Sequence, residues 1–427
     1  MRSNISYLVF GNGKHIDSKS LFWNMTFSVT NALQSAIMLL IVTRVCGIKD
    51  GGIFSIAYAT SQLMYTVGGY STRTFQATDT RYVYSYRDYS NARFVTCLGM
   101  MITASVYCAI RQYDLEKTEI VFAACIYKLI EAIEDLDHGE LQREGRLDIA
   151  GRIGTFRIVL NDLTFFAILS ATGDVKFALI GVAAVAALVV AITHQYYKAS
   201  FHREKQATQK KKISRLLLDC FPLFASGCLA MYVSNASKYA IDVYLGDETQ
   251  TYFSVIFMPV FTINLLSGVC FRPQMKQMAD FWNAREFKRF QKMIFRQVLV
   301  IIALSVSITT FGVLIGLRLL SLIYKLPLDS LAVEFAILLA GGGLVALYNY
   351  FYQCITIMRR QGSLLVQSAV VAATALVMSN IVTSRFGISG ACWSYFLLTF
   401  LEAAGSIGLI GRFYCQAVQD EKSEKHI

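Results

Sequence analysis

Residues 176–197, KFALIGVAAVAALVVAITHQYY, form an apolar segment of 22 residues whose one lysine stands at its first position. A helix rises 1.5 Å per residue, so about 20 residues cross the hydrocarbon core of a bilayer. Segments of this kind follow one another along the chain, in which 55% of the residues are hydrophobic and 16% are charged. Soluble domains contain roughly a quarter charged residues. The sequence therefore predicts an integral membrane protein.

Twelve spanning segments are predicted, in two sets of six. The first set comprises residues 21–45, 53–72, 94–112, 118–136, 153–172 and 176–197. The second set comprises residues 216–241, 252–271, 294–318, 331–357, 364–384 and 387–411. A polar interval separates the sets, which predicts an N-terminal lobe at 1–200, a basic linker at 201–215 and a C-terminal lobe at 216–427. The run Lys210, Lys211 and Lys212 in this interval is interpreted either as a contact to anionic lipid head groups or as a solvated linker.

The 40 Lys and Arg residues are distributed unequally between the two predicted sides of the membrane. Twenty-eight lie in the two termini and in the loops after the even-numbered spans, eight lie on the opposite side, and four lie within spans. Cytoplasmic loops carry an excess of basic residues, so both termini are predicted to be cytoplasmic. This placement accounts for the net charge of +11, and no nucleic-acid partner is expected.

The sequence lacks the common motifs of metal, disulfide and nucleotide chemistry. Its ten Cys residues are scattered without a CxxC pair, and no GxxxxGK[ST] phosphate loop occurs. These features predict no metal and no bound cofactor. Energy for transport would then come from an ion gradient, the membrane potential or consumption of the product, with coupling to H⁺ or Na⁺ left open.

An internal repeat relates the two sets of spans. At an offset of 199, five positions are identical without gaps: Gly47 and Gly246, Phe54 and Phe253, Ser55 and Ser254, Gly69 and Gly268, Arg73 and Arg272. LQREG at 141–145 also matches MRRQG at 358–362 with an offset of 217. Because each half has an even number of spans, the halves would insert in the same orientation, as in transporters built from parallel repeats. Chance matching among membrane-biased residues is the alternative.

Two long stretches carry a family resemblance. FWNMTFSVTNALQSAIMLLIVTRVCGIKDGGIFSIAYA (22–59), followed by STRTFQATDT and YRDYSNAR, resembles the N-terminal half of polysaccharide flippases. FPLFASGCLAMYVSNASKYAIDVYLGDETQTYFSVIFMPVFTINLLSG (221–268) resembles their seventh and eighth helices. These O-antigen and capsule repeat-unit flippases belong to the multidrug/oligosaccharidyl-lipid/polysaccharide (MOP) exporter superfamily. The resemblance implies an all-α fold of two parallel six-helix lobes, of the MATE type, around a central cavity.

The resemblance also implies a function. Such a protein would flip a polyprenyl-pyrophosphate-linked oligosaccharide from the inner to the outer leaflet of a bacterial cytoplasmic membrane, by alternating access and without catalysis. Membrane lipids, a glycan polymerase and glycosyltransferases would be its partners. An ion-coupled multidrug antiporter of the same superfamily is the first alternative. A membrane-bound glycosyltransferase or polymerase is the second alternative. It is disfavoured because the outer loops between the predicted spans contain at most about a dozen residues each.

Ionisable residues within spans are candidate functional groups, because charges are costly in hydrocarbon. In the fourth span, Lys128, Glu131 and Asp135 share one helical face, with Glu134 beside it. Arg157 and Asp162 in the fifth span are possible partners. The group is interpreted as an ion relay or part of the sugar path, or alternatively as an ion-pair network that holds the two spans together.

The remaining candidates lie mostly in the second half. Lys238 and Asp242 are spaced i, i+4 in the seventh span, where the lysine either attracts pyrophosphate or forms an intrahelical ion pair. Arg73 and Arg272, at the inner ends of spans 2 and 8, either receive the pyrophosphate or anchor the helices at the interface. Glu402 stands mid-span without an evident partner and is a candidate for titration.

Overall fold

The computed structural model describes residues 16–79, 83–200, 210–271 and 274–424, and these residues contain helices and no strand. They form two compact units, Met1–Met231 and Tyr232–Ile427. The predicted linker is described only from Lys210 onward, where a long helix begins that continues past the boundary between the units. The predicted domain limits stay a prediction.

Unit 1 is built from helices. In chain order these are α1 (Ile16–Val45), α2 (Ile48–Gly69), the short α3 (Thr72–Thr78), α4 (Tyr86–Arg111), α5 (Leu115–Arg143), α6 (Leu147–Thr172), α7 (Val175–Ser200) and the first part of α8 (Lys210–Tyr244). Among the described residues, α1 packs extensively on α6, and α5 packs on α2, α7 and α4. Helix α5 therefore lies at the centre of this unit.

Unit 2 contains the end of α8 and the remaining helices. These are α9 (Asp247–Phe257), α10 (Val260–Phe271), α11 (Met275–Asn283), α12 (Phe287–Phe311), a π-helical segment (Gly312–Gly316), α13 (Leu317–Tyr324), a short 3₁₀ helix (Asp329–Leu331), α14 (Ala332–Ile357) and α15 (Gln361–Glu424). Helix α14 packs on α15, α10 and α12 and takes the central position in this unit.

The number of spanning segments agrees with the predicted twelve. Nine helical segments of the described residues are long and apolar enough to cross a bilayer. Helices α2 and α5, with 22 and 29 residues, are also long enough, although they carry more polar side chains. The non-helical backbone of Gly387 (φ 61°, ψ −141°) divides the 64-residue α15 into two segments. With these additions, the described residues contain twelve segments.

The first turn of the repeat has one geometry in both units. In unit 1 the N–H of Gly47 donates to the carbonyl of Val42 at 3.3 Å, and in unit 2 the N–H of Gly246 donates to that of Ile241 at 3.3 Å. Gly47 (φ 105°, ψ −176°) and Gly246 (φ 83°, ψ 174°) precede the next helix in a conformation that favours glycine. Both pairs are 199 residues apart, so the backbone reproduces the sequence repeat.

The second match in the repeat needs a correction. The N–H of Arg146 donates to the carbonyl of Leu141 (2.7 Å) after α5, and the N–H of Arg360 donates to that of Ile355 (3.2 Å) after α14. Corresponding members of these turns are 214 residues apart, so the predicted offset of 217 is wrong by three residues. The short segments LQREG and MRRQG align by residue type, whereas the hydrogen-bonded turn defines the structural equivalence.

Helix α4 begins eight residues before the predicted start of the third span. The Ser85 hydroxyl accepts a hydrogen bond from the N–H of Asp88 (3.2 Å), and the Asp88 carboxylate accepts one from the N–H of Ser85 (2.9 Å). This capping box satisfies N–H groups that the helix itself leaves unpaired. The earlier start brings Arg93 into the helix, where it becomes part of the site described below.

The contact between α1 and α6 depends on the absence of a side chain at Gly151. A Cβ at this position would lie 2.6 Å from the backbone of Trp23. Backbone atoms cannot rotate away as a side chain can, so a larger residue would push the two helices apart. Close approach of this kind is what small residues provide between membrane helices.

We expect Gly151→Ala to lower the free energy of unfolding by about 1–3 kcal/mol, the usual cost of overpacking. Thermal unfolding in lipid nanodiscs measures this change. Gly99→Ala is the matched control, because a Cβ there would lie 4.0 Å from its nearest neighbour, Val67. Equal stability of the two variants would contradict the proposed close contact.

Candidate functional site

Two basic and two acidic side chains meet between α5 and α6 in unit 1. Lys128 Nζ lies 2.5 Å from Glu131 Oε2, and Arg157 NH2 lies 3.2 Å from Glu131 Oε1. Arg157 Nε lies 2.7 Å from Glu134 Oε2. All four side chains are buried, with Arg157 only 2% exposed. We call this group the α5–α6 ion cluster; it brings together three of the residues predicted from the sequence, along with Glu134.

Phenol and amide groups add hydrogen bonds to the cluster. The Lys128 ammonium donates to the Tyr58 hydroxyl at 3.1 Å, and the Tyr127 hydroxyl donates to Glu131 at 2.8 Å. Gln34 Nε2 in turn donates to the Tyr127 oxygen at 2.7 Å. The cluster therefore links α1, α2, α5 and α6, and its two positive charges balance its two negative charges.

Asp135 belongs to a separate group near the end of α2. Its carboxylate lies 2.9 Å from Arg73 NH1 and 3.3 Å from Arg93 NH2. Arg93 also donates to the carbonyl of Gly68 and to the hydroxyl of Thr72, both at 2.8 Å. The single face predicted for α5 thus serves two groups of neighbours, and Arg73 is held by a carboxylate.

Asp162 lies outside both groups. Its side chain is half-buried. Arg157 is near enough to interact electrostatically with Asp162, but the two side chains do not form an ion pair. The structure therefore makes Arg157, and not Asp162, the ionic partner of the charges on α5.

A loop tyrosine outside the spans connects α3 and α4 to the start of α8. The Tyr84 hydroxyl donates to the Asp219 carboxylate at 2.9 Å, and the Tyr84 N–H donates to Asp79 at 3.0 Å. Burial, together with the bond to Asp219, raises the pKa of Tyr84 to about 12. The phenol therefore keeps its proton and remains a donor at physiological pH.

Lys238 is the candidate cation of unit 2. The ammonium lies 5.0 Å from the centroid of the Phe257 ring, and the side chain is half-buried. No carboxylate of the described residues lies within ion-pair distance of it, so the predicted pair with Asp242 does not form. The equivalent position in unit 1 is the buried Leu39. Lys238 therefore differs from Lys128 and Arg157, whose charges are balanced.

The remaining predicted residues are placed as follows. Asp242 is half-buried one turn beyond Lys238, and Glu402 is buried in the second segment of α15. Arg272 lies outside the described residues. Among the described residues, no group of three or more His, Cys, Asp and Glu side chains could hold a metal ion.

Sequence reasoning missed several members of the site. Arg93 was assigned to a loop because the third span was drawn from residue 94, and the Ser85–Asp88 cap signal would have corrected that start. Tyr58 and Tyr127 carry no sequence signal, since a tyrosine in an apolar helix is more often a packing residue. Only the tertiary structure brings their hydroxyls to charged groups.

Comparison with known sequences gives only a weak similarity. No family model matches the chain. Over 311 residues it is 20% identical to the capsular polysaccharide biosynthesis protein CapF of Staphylococcus aureus, an alignment that covers 72% of this chain and 77% of CapF. This similarity is too low to assign the chain to a family.

Solved structures of MATE transporters resemble the chain over nearly its whole length. The MATE multidrug transporter DinF-BH, solved as a complex, gives a TM-score of 0.64 at 15% identity, covering 95% of this chain and 96% of that one. An inward-facing multidrug resistance MATE family transporter of the MOP superfamily gives 0.61 at 13%, covering 91% and 98%. The eukaryotic MATE transporter AtDTX14 gives 0.57 at 11%, covering 99% of both chains. The predicted fold class is therefore confirmed: this is an all-α, multi-pass membrane protein with the MATE transporter fold.

We expect Arg157→Met to destabilise unit 1 by about 3–5 kcal/mol, because it leaves two buried carboxylates with one cation. The exposed pair Arg289–Glu286 supplies the control, and Arg289→Met should change stability by less than about 1 kcal/mol. Thermal unfolding in nanodiscs measures both. A fully stable Arg157→Met variant would contradict the structural role of the cluster and would favour a role in transport.

Proposed function

We propose that this protein is a transporter that flips a polyprenyl-pyrophosphate-linked oligosaccharide from the inner to the outer leaflet of a bacterial cytoplasmic membrane, for surface polysaccharide synthesis. The observation that carries the proposal is Lys238, a half-buried cation in a membrane helix for which the described residues supply no carboxylate. The MATE fold supports transport, and the similarity to CapF supports a role in polysaccharide synthesis.

The chemistry of this substrate suits a protein with an available cation. A sugar head group loses many hydrogen bonds to water when it enters hydrocarbon, so it needs a polar path, while its polyprenyl tail can remain in lipid. The pyrophosphate carries negative charge. At an effective dielectric constant of about 20 and a separation of about 4 Å, two unit charges attract by about 4 kcal/mol. Lys238 can supply this attraction without first leaving an internal carboxylate.

The cations of unit 1 are less suited to the same task. Lys128 and Arg157 are already held by Glu131 and Glu134, and Arg73 is held by Asp135. A pyrophosphate would have to displace a carboxylate from each of them. We therefore assign the pyrophosphate contact to Lys238 and a structural role to the α5–α6 ion cluster.

A multidrug antiporter is the main alternative, because the structural neighbours named above are described as MATE transporters, two of them as multidrug transporters. A cationic drug would be repelled by Lys238, which favours an anionic substrate for this chain. We also propose that the protein is not an enzyme. A glycosyltransferase or polymerase would need an active site, and the four charged groups of the α5–α6 ion cluster are engaged in balanced ion pairs.

The remaining features of the proposal follow from the sequence. Both termini would lie in the cytoplasm, an H⁺ or Na⁺ gradient would supply energy, and membrane lipids, glycosyltransferases and a glycan polymerase would act beside the protein. No cofactor is proposed. The sequence contains no phosphate-binding loop for ATP.

Deletion of the gene tests the substrate class. We expect lipid-linked repeat units to accumulate in the inner leaflet and surface glycan to be lost, while sensitivity to cationic drugs stays close to that of the parent strain. Surface-glycan staining, extraction of lipid-linked intermediates and drug-inhibition assays measure these outcomes. Normal surface glycan with new sensitivity to cationic drugs would instead support the multidrug antiporter.

Substitution of Lys238 tests its assigned role. We expect Lys238→Ala to lower restoration of surface glycan in the deletion strain by at least about tenfold, equivalent to about 1.4 kcal/mol. Lys238→Arg should retain most of the activity, because it keeps the positive charge. Protein levels in the membrane are measured in parallel.

The exposed Lys288 of the same unit provides the matched control, and Lys288→Ala should behave as the parent protein does. Full glycan restoration by Lys238→Ala would reject the pyrophosphate contact. A loss of protein from the membrane, rather than of activity, would show that Lys238 is structural.

A further inference from the structure

Glu402 is a buried carboxylic side chain in the second segment of α15, with 5% of its surface exposed. Its backbone carbonyl accepts a hydrogen bond from Gln367 Nε2 at 2.6 Å, and the same nitrogen donates to Ser406 Oγ at 3.1 Å. Gln367 and Ser406 therefore fix the backbone of Glu402 and bind each other. They leave its carboxyl group without a strong donor.

No positive charge balances Glu402 within the part of unit 2 that the structure describes. Lys, Arg and His side chains are absent from the groups that interact with its carboxyl. The titratable groups near enough to sense its charge are the phenols of Tyr348 on α14 and Tyr395 on its own helix. The neighbouring side chains of Gln367 and Ser368, which belong to the first segment of α15, are not titratable. A bare carboxylate in such surroundings is strongly disfavoured.

The oxygen atoms around Glu402 favour a proton over a metal ion as the balancing cation. A metal ion needs several oxygen ligands directed at one point. The Glu402 carbonyl already accepts from Gln367, and Gln367 Oε1 accepts from Ser406 at 3.2 Å. These surrounding oxygen atoms therefore already accept hydrogen bonds from nearby side chains. A single proton neutralises the carboxyl group without any additional ligand.

We propose that Glu402 is a reversible proton-binding site of unit 2, occupied by one proton in the conformation described. When a conformational change brings water to the side chain, the O–H bond breaks, the proton passes to water and the carboxylate remains. The proton returns before the site is buried again. Proton occupancy therefore favours the buried conformation, so acidic conditions stabilise it and alkaline conditions favour the hydrated one.

The link between this site and transport rests on the proposed function, but the site itself does not. Protonation of Glu402 can be measured on the purified protein without any glycan substrate. If the flippase assays fail while the proton is found, the proton site stands and only the choice of substrate is rejected.

Infrared difference spectroscopy in lipid nanodiscs tests the proposal. At neutral pH and without Na⁺, we expect the wild-type protein to show a C=O stretching band of a protonated carboxyl group that is absent from Glu402→Gln. The glutamine variant should fold normally, because it has the shape of the neutral acid. If it does not fold, Glu402→Asp should shift the same band in frequency, and titration of the wild-type protein should remove the band at high pH.

Glu286→Gln is the matched control in unit 2, because Glu286 is ion-paired with Arg289 at 2.8 Å and should lack a protonated band. Its spectrum should lose carboxylate bands only. The proposal is overturned if Glu402→Gln also loses only carboxylate bands, which would mean that Glu402 is ionised. It is equally overturned if adding Na⁺ at constant pH abolishes the protonated band, which would assign the site to a metal ion.

Discussion

The structure of unit 1 depends on the balance between positive and negative charges on buried side chains. In unit 1, Arg157 contacts both Glu131 and Glu134, and Lys128 contacts Glu131, so four charges on two helices sum to zero. Removing any one of them would leave a net charge at a buried position. This constraint explains how α5 can carry so many ionisable residues and still occupy the centre of the unit. It also keeps α5 and α6 in one register.

The two units share a helical plan but treat charge differently. In unit 1 the four charges of the α5–α6 ion cluster are paired with one another, whereas in unit 2 Lys238 lies against an aromatic ring and Glu402 lies among neutral groups. The described side chains supply no opposite charge to either residue. In our proposals the lysine is compensated by the pyrophosphate and the glutamate by a proton. The repeated fold would thus combine a half that contains a balanced ion cluster with a half that exchanges charged ligands.

Sequence reasoning recovered the parts of the structure that follow from hydropathy and backbone chemistry. The bilayer requires long apolar helices, and the turn at Gly47 requires a glycine again at Gly246, so span number and the first repeat offset could be predicted. The partners of charged residues could not. Asp135 and Glu131 share a helical face, yet contact different helices, because that choice depends on tertiary packing. Arg93 was missed through an error in a helix boundary.

A glycine can be required because a side chain would not fit or because the backbone has a positive φ. Gly47 and Gly246 are required for the second reason alone. A side chain at either position would meet no atom within 4 Å, so space does not restrict these residues. Only the positive φ does, and it disfavours L residues by the handedness of their α-carbon. A D residue has the opposite preference, so the backbone of both turns has the conformation that a D-alanine favours. At Gly151 the restriction is one of space, because the partner backbone lies where a Cβ would stand.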